Sequence, residues 1–131
     1  MKQLALLSLL VLPSLQSVFA QAKNEMITNV SVAEFKGVMD SLKDEILVDL
    51  RTPEELKQGK IPGAMVIDYF GADFEPALQK LNKNKVYLLY CAGGGRSGDT
   101  AELMSKMGFK KVYNLEPGFN GWMKQKMPVE K

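Results

Sequence analysis

Val86-Tyr87-Leu88-Leu89-Tyr90-Cys91-Ala92-Gly93-Gly94-Gly95-Arg96-Ser97-Gly98 joins an apolar run to a glycine-rich loop and then to a helical pattern. Val86–Tyr90 has the length and composition of a strand covered on both faces. A helix is expected from about Ser97 to Met107, stopped by Gly108. Moving outward, Ile46–Leu50 is a second continuous apolar run, and Thr52-Pro53-Glu54-Glu55 opens a helix with a Thr cap, Pro at its first position and acids at the positive dipole end. Gly59 closes that helix, and Met65–Asp68 forms a short strand. Phe74–Leu81 is helical, with Pro76 tolerated in its first turn. Met26–Val30 and Val112–Leu115 supply two more strands, and a short helix surrounds Trp122. Ser31-Val32-Ala33-Glu34 has capping-box spacing, followed by Val32, Phe35, Val38, Met39 and Leu42 at helical intervals. This alternation predicts a single α/β domain: a mostly parallel five-stranded sheet with helices on both faces. Ligands in such sheets gather at the carboxyl ends of the strands, which points to the residues after Tyr90.

The chain has 131 residues, 46% apolar and 24% charged, with a formal charge of +2. That is one domain's worth of chain, able to bury roughly two-thirds of its unfolded surface. It contains no His and one Cys. The first absence excludes a Ser-His-Asp triad, a Cys-His protease pair and imidazole metal sites; the second excludes an intrachain disulfide and multi-thiolate clusters. No cofactor or metal is expected, and the eight Met residues read as core filler.

Residues 1–20 have the layout of a secretory signal peptide. Lys2 precedes the apolar stretch Leu4–Leu12, Pro13 breaks it, and Val18-Phe19-Ala20 leads to a cleavage point after Ala20 or Ala22. The apolar run is short of the ~20 residues that a membrane-spanning helix needs. The expectation is therefore a domain over residues 21–131, periplasmic or secreted, with no stable membrane anchor after cleavage. Its basic residues form no stripe interleaved with aromatics, so no nucleic-acid partner is expected.

The loop Cys91–Gly98 gathers the chemistry. Successive glycines let backbone amides turn inward into an anion-binding nest, and the helix that follows adds its positive dipole end. A thiol held there should titrate below ~8.5, toward the ~3.5–7.5 of activated cysteines, and act as a nucleophile without a separate base. Arg96 offers a planar, permanently charged fork to an oxyanion of the substrate.

The sequence resembles the rhodanese family. Cys91-Ala92-Gly93-Gly94-Gly95-Arg96 matches its Cys-x-x-Gly-x-Arg loop. Val48–Glu55 is similar to its segment after the second strand, and Gly59–Ala64 to its Gly-His-Ile-Pro-Gly-Ala turn. Leu115-Glu116-Pro117-Gly118 with Trp122 is similar to its closing Leu-x-Gly-Gly-x-x-x-Trp. Lys60 in place of His and Pro117 in place of Gly depart from the pattern and bear on local turn geometry. The resemblance implies sulfur transfer: Cys91 takes the outer sulfur of a small donor, thiosulfate or a persulfide, and holds it as a persulfide of its own. The amides of Ala92, Gly93, Gly94, Gly95, Arg96 and Ser97 stabilise it, and Arg96 positions the donor's sulfonate. With no second Cys, the acceptor, cyanide or a thiol, comes from outside.

Three other functions compete with turnover. A persulfide carrier or docking module would depend on a partner. Cysteine phosphatases and some arsenate reductases place Arg six positions after Cys, whereas here Arg96 is fifth and Ser97 sixth. The shorter loop favours attack on a small exposed sulfur. An unpaired, low-pKa thiol in an oxidising compartment also leaves redox sensing open.

Elsewhere, Asp49 and Arg51 lie at the mouth end of a strand, where they either brace the Cys91 loop or form a structural pair. Tyr69 and Phe70 are candidates for a pocket wall. Asp68 and Asp73 read as turn or cap residues, and Phe119 and Trp122 as core.

Overall fold

The computed structural model describes residues 25–131. The signal-peptide reading of residues 1–20 lies outside them. Ten elements alternate along the chain: β1 Ile27–Val30, α1 Val32–Ser41, β2 Ile46–Asp49, α2 Pro53–Leu56, β3 Met65–Val66, α3 Phe74–Gln79, β4 Val86–Tyr90, α4 Gly95–Lys106, β5 Lys111–Leu115 and α5 Gly118–Lys124. The five strands form one sheet in the order β1-β5-β4-β2-β3, and every pairing is parallel. The expected α/β fold is therefore present, with β4 at its centre.

Side chains alternate across a strand, and β4 shows what this does. Leu88 and Tyr90 face one core with Val32 and Phe35 of α1 and Phe119 and Trp122 of α5. Tyr87, Leu89 and then Cys91 face the other, with Leu78 of α3 and Ala101 and Met104 of α4. Helices thus cover both faces. The alternation also places the Cys91 side chain on the face covered by α4, whose N-terminus the loop must reach.

Local signals explain the helix starts. Ser31 and Glu34 form the reciprocal capping box on α1, and Thr52 and Glu55 form a second one on α2 with Pro53 in its first turn. Pro76 sits in the first turn of α3, where its missing N–H has no ladder partner to lose. Several boundaries differ from expectation, among them the end of α3 at Gln79 rather than Leu81, and three of them have a visible local cause. Leu42 is not part of the buried stripe of α1: it has left helical geometry (φ −99°, ψ 138°) and is 38% exposed, as the chain turns toward β2. The third strand stops at Val66, because Asp68 folds the chain into a turn, its carbonyl accepting from Gly71 N and its carboxylate from Phe70 N. The helix after Cys91 starts at Gly95 rather than Ser97, since Gly94 already serves as its left-handed cap at φ +93°.

Candidate active site at the Cys91 loop

Cys91 follows the last residue of β4 and is 1% exposed. Its Sγ accepts from the Gly94 amide at 3.1 Å and the Ser97 amide at 3.5 Å, and lies 3.4 Å from the Ser97 hydroxyl. Burial pushes the thiol up. The Ser97 hydroxyl and amide, with the Gly94 and Gly93 amides, more than offset this and hold it below its ordinary value. Hydrogen bonds to the charged form therefore outweigh desolvation. Gly98 N→Gly94 O is the first bond of the α4 ladder, so the Gly95, Arg96 and Ser97 amides precede it and are free for the loop. No hydrogen bond to Sγ comes from the Ala92, Gly95 or Arg96 amides among the described residues.

The three glycines are not equivalent. A Cβ on Gly94 would lie 2.1 Å from the Glu116 carbonyl oxygen, and its φ is left-handed. A Cβ on Gly93 or Gly95 would meet nothing within 4 Å. The loop is held from outside by α5: Phe119 N donates to Cys91 O at 2.8 Å and Asn120 N to Ala92 O at 3.0 Å. Gly118 permits this approach, since a Cβ there would fall 2.3 Å from Ala92 O. Pro117, one of the two departures from the family pattern, takes φ −76° and packs where Gly121 leaves room. Lys60, the other, keeps its turn closed by donating to Ala64 O and pairing with Glu130.

Arg96 is engaged inside the protein. Its Nη1 and Nη2 donate to Oε1 and Oε2 of Glu55, both at 2.8 Å, in a bidentate pair. The Arg96 hydrogen bond holds the Glu55 carboxyl at about 2, against some desolvation and with help from the Thr52 backbone and hydroxyl. Glu55 had read from sequence only as an acid at a helix start; nothing in its own neighbourhood signals a partner 41 residues away. Its position in the capping box is the one local hint that the carboxylate is held in place.

Asp49 and Arg51 form a buried pair rather than a direct brace on the loop. Arg51 Nε and Nη2 donate to Asp49 at 3.0 and 2.7 Å, while Nη2 also reaches Gly59 O at 2.7 Å and Nη1 the Glu55 carbonyl at 3.2 Å. Its guanidinium carbon lies 3.8 Å from the centroid of the Phe119 ring. The pair thus anchors α2 and α5, the two elements that touch the loop and Arg96. Burial and the adjacent Asp49 carboxylate push the Tyr90 hydroxyl up, and it accepts from Ile61 N. Of the two wall candidates, Phe70 is 69% exposed with Arg96 above its ring at 5.5 Å, whereas Tyr69 packs on Phe74. Asp68 is the turn residue expected; Asp73 precedes α3 without a side-chain cap bond. Phe119 and Trp122 are fully packed core.

The parallel sheet, with a Cys-x-x-Gly-x-Arg loop at the end of its central strand, has the fold and the loop by which the sequence resembles the rhodanese family. Residues 31–125 match the Rhodanese-like domain, and the chain belongs to that family. It is 35% identical over 96 residues to YrkF of Bacillus subtilis, a protein whose name marks it provisionally as a sulfur carrier. That match takes in 73% of this chain and about half (51%) of YrkF. It is 26% identical over 104 residues to a sulfurtransferase of Allochromatium vinosum, covering 79% of this chain and 95% of that one. A crystal structure of a rhodanese-like domain protein from Staphylococcus aureus superposes with a TM-score of 0.67 at 30% identity, covering 79% of this chain and 99% of the other.

Proposed function

We propose that this rhodanese-like protein is a sulfurtransferase that moves a sulfane sulfur from a donor such as thiosulfate to a thiophilic acceptor through a Cys91 persulfide. The observation that carries the reading is the Cys91 Sγ held by the Gly94 and Ser97 amides and the Ser97 hydroxyl. The Cys91 thiolate attacks the outer sulfur, a new S–S bond forms, and the donor's own bond to that sulfur breaks. With thiosulfate, sulfite leaves with the bonding electron pair. The persulfide extends into the loop, where the amides from Ala92 to Ser97 lie ahead of the α4 ladder and can take its charge. Because Cys91 is buried, a slim terminal sulfur suits the mouth better than a bulky tetrahedral group. The acceptor, cyanide or an external thiol, attacks the outer sulfur and regenerates the thiolate, since the chain has no second Cys.

Sulfite release and thiocyanate formation from thiosulfate and cyanide test this. The wild type should turn over and Cys91→Ser should not. A wild type that loads sulfur but does not turn over without a partner is the carrier reading, which the likeness to a protein named as a sulfur carrier supports. We also propose that residues 1–20 direct export, on the strength of their apolar run and small-residue cleavage point. N-terminal sequencing of the protein recovered from a cell fractionation checks it; an intact Met1 in the cytoplasm would contradict it.

A further inference from the structure

We propose that Glu55 sets the donor preference of the Cys91 site: by occupying both arms of the Arg96 fork, it disfavours a dianion such as thiosulfate and favours an organic persulfide. This rests on the sulfur-transfer reading of Cys91 and names the donor class that the same site takes.

The argument begins with the charges around the mouth. Arg96 is the cation nearest the loop, and both of its terminal nitrogens are bound to Glu55 at 2.8 Å, with the two side chains 19% and 30% exposed. The other guanidinium nearby, Arg51, is buried and neutralised by Asp49. Neither offers a free positive charge. Glu55 does not swing away easily, because Thr52 N and Oγ1 both donate to its Oε1 and Arg51 fixes its backbone carbonyl. Nor does ordinary acidity neutralise it, since its carboxyl titrates at about 2.

A dianion seeking Arg96 must therefore displace a carboxylate and then sit beside it, a like-charge contact in a partly desolvated site. An organic persulfide meets no such barrier. It presents a terminal sulfur to Cys91, and its carbon stem can lie on the exposed Phe70 ring beside Arg96. The step balances without an added oxidant or reductant. The Cys91 thiolate bonds to the terminal sulfur of R–S–SH, the S–S bond between that sulfur and the R-bearing sulfur breaks, the proton stays on the transferred sulfur, and R–S⁻ leaves with the electron pair.

Glu55→Gln is the test, because Gln keeps the capping-box geometry while removing the charge. Initial rates are measured with thiosulfate and with cysteine persulfide, in wild type and variant. The ratio of kcat/KM for thiosulfate to that for the persulfide should rise about tenfold in the variant, chiefly through KM. A fall for both donors alike, or an unchanged ratio, would overturn the proposal and leave Glu55 a structural residue. A second comparison needs no turnover: thiosulfate binding to Cys91→Ser, with and without Glu55→Gln, by titration calorimetry. Tighter binding with Gln supports the proposal; equal or weaker binding overturns it. If the wild type takes sulfur from neither donor, the sulfur-transfer reading falls, and the calorimetric comparison still decides whether Glu55 excludes dianions. Should Glu55→Gln fail to fold, Glu55→Asp keeps the charge but shortens its reach, and a smaller rise in the same ratio is expected; no rise overturns the proposal.

Discussion

At Cys91, burial and hydrogen bonding pull the thiol in opposite directions, and the outcome depends on one hydroxyl and a few amides. Desolvation alone would keep the proton on. Ser97 supplies both its hydroxyl and its amide, so it is the residue whose loss should be felt most. Ser97→Ala is expected to raise the thiol pKa and move the acid limb of sulfur uptake to higher pH. In the wild type that limb lies below the ordinary thiol value, with the rate constant at higher pH and falling as pH drops through the shifted pKa. Iodoacetamide alkylation rates across pH measure it directly in both proteins. An unshifted limb in the variant would remove the Ser97 hydroxyl from the account. The sequence made Cys91 legible because a lone thiol preceding a glycine run is a local pattern. Glu55 was not legible as part of the site, since its bond to Arg96 exists only after α2 and the loop are brought together by the sheet.

At the scale of elements, the loop is shaped by what presses on it. Gly94 faces the Glu116 carbonyl and Gly118 faces Ala92, so the segment before α5 and the loop after β4 fit only because both lack a Cβ. Gly94→Ala should cost at least the ~1–2 kcal/mol of a left-handed backbone, with the carbonyl collision added, and should lower sulfur uptake steeply. Gly95→Ala, with open space and an ordinary φ, should fold with nearly wild-type stability. Thermal melts of the two variants discriminate; equal losses would contradict this. The glycine run alone announced flexibility but not which glycine was required. That distinction comes from β5 and its following turn, which the sequence places only by tertiary packing. For the same reason the capping box at Ser31 and the Thr52 cap were readable, whereas the reciprocal bond of Glu55 to the Thr52 backbone, the exit of Leu42 from the α1 stripe and the early end of β3 at Val66 were not. Caps are written in four residues; the ends of the stripe and strand depend on where the next strand must begin.

In the whole molecule, the buried Asp49–Arg51 pair links the site to its supports. Arg51 holds Asp49, the Gly59 carbonyl and the Glu55 carbonyl, and stacks on Phe119. Arg51→Met should destabilise the fold by about 3–5 kcal/mol, because it leaves a buried carboxylate unpaired, and urea unfolding would show it. The chain end adds a smaller strap: Lys60 and Glu130 exchange backbone hydrogen bonds at 2.8 and 2.9 Å beside Gly59. Truncation after Pro128 should cost about 1–3 kcal/mol for those two bonds. Fold class and parallel sheet were readable from the alternation of strands and helices, since each strand's apolar run is local. The Asp49–Arg51 pair was one of two readings the sequence offered, but the stacking of Arg51 on Phe119 and the Lys60–Glu130 strap were not readable, because they join segments far apart in sequence. The central claim is that Cys91 carries sulfur, and intact-mass spectrometry of the purified protein before and after thiosulfate or cysteine persulfide tests it most directly, with Cys91→Ser alongside. The account predicts a gain of one sulfur atom on the wild type alone, lost on adding cyanide or a thiol. No gain with either donor, or an equal gain on Cys91→Ser, would contradict it.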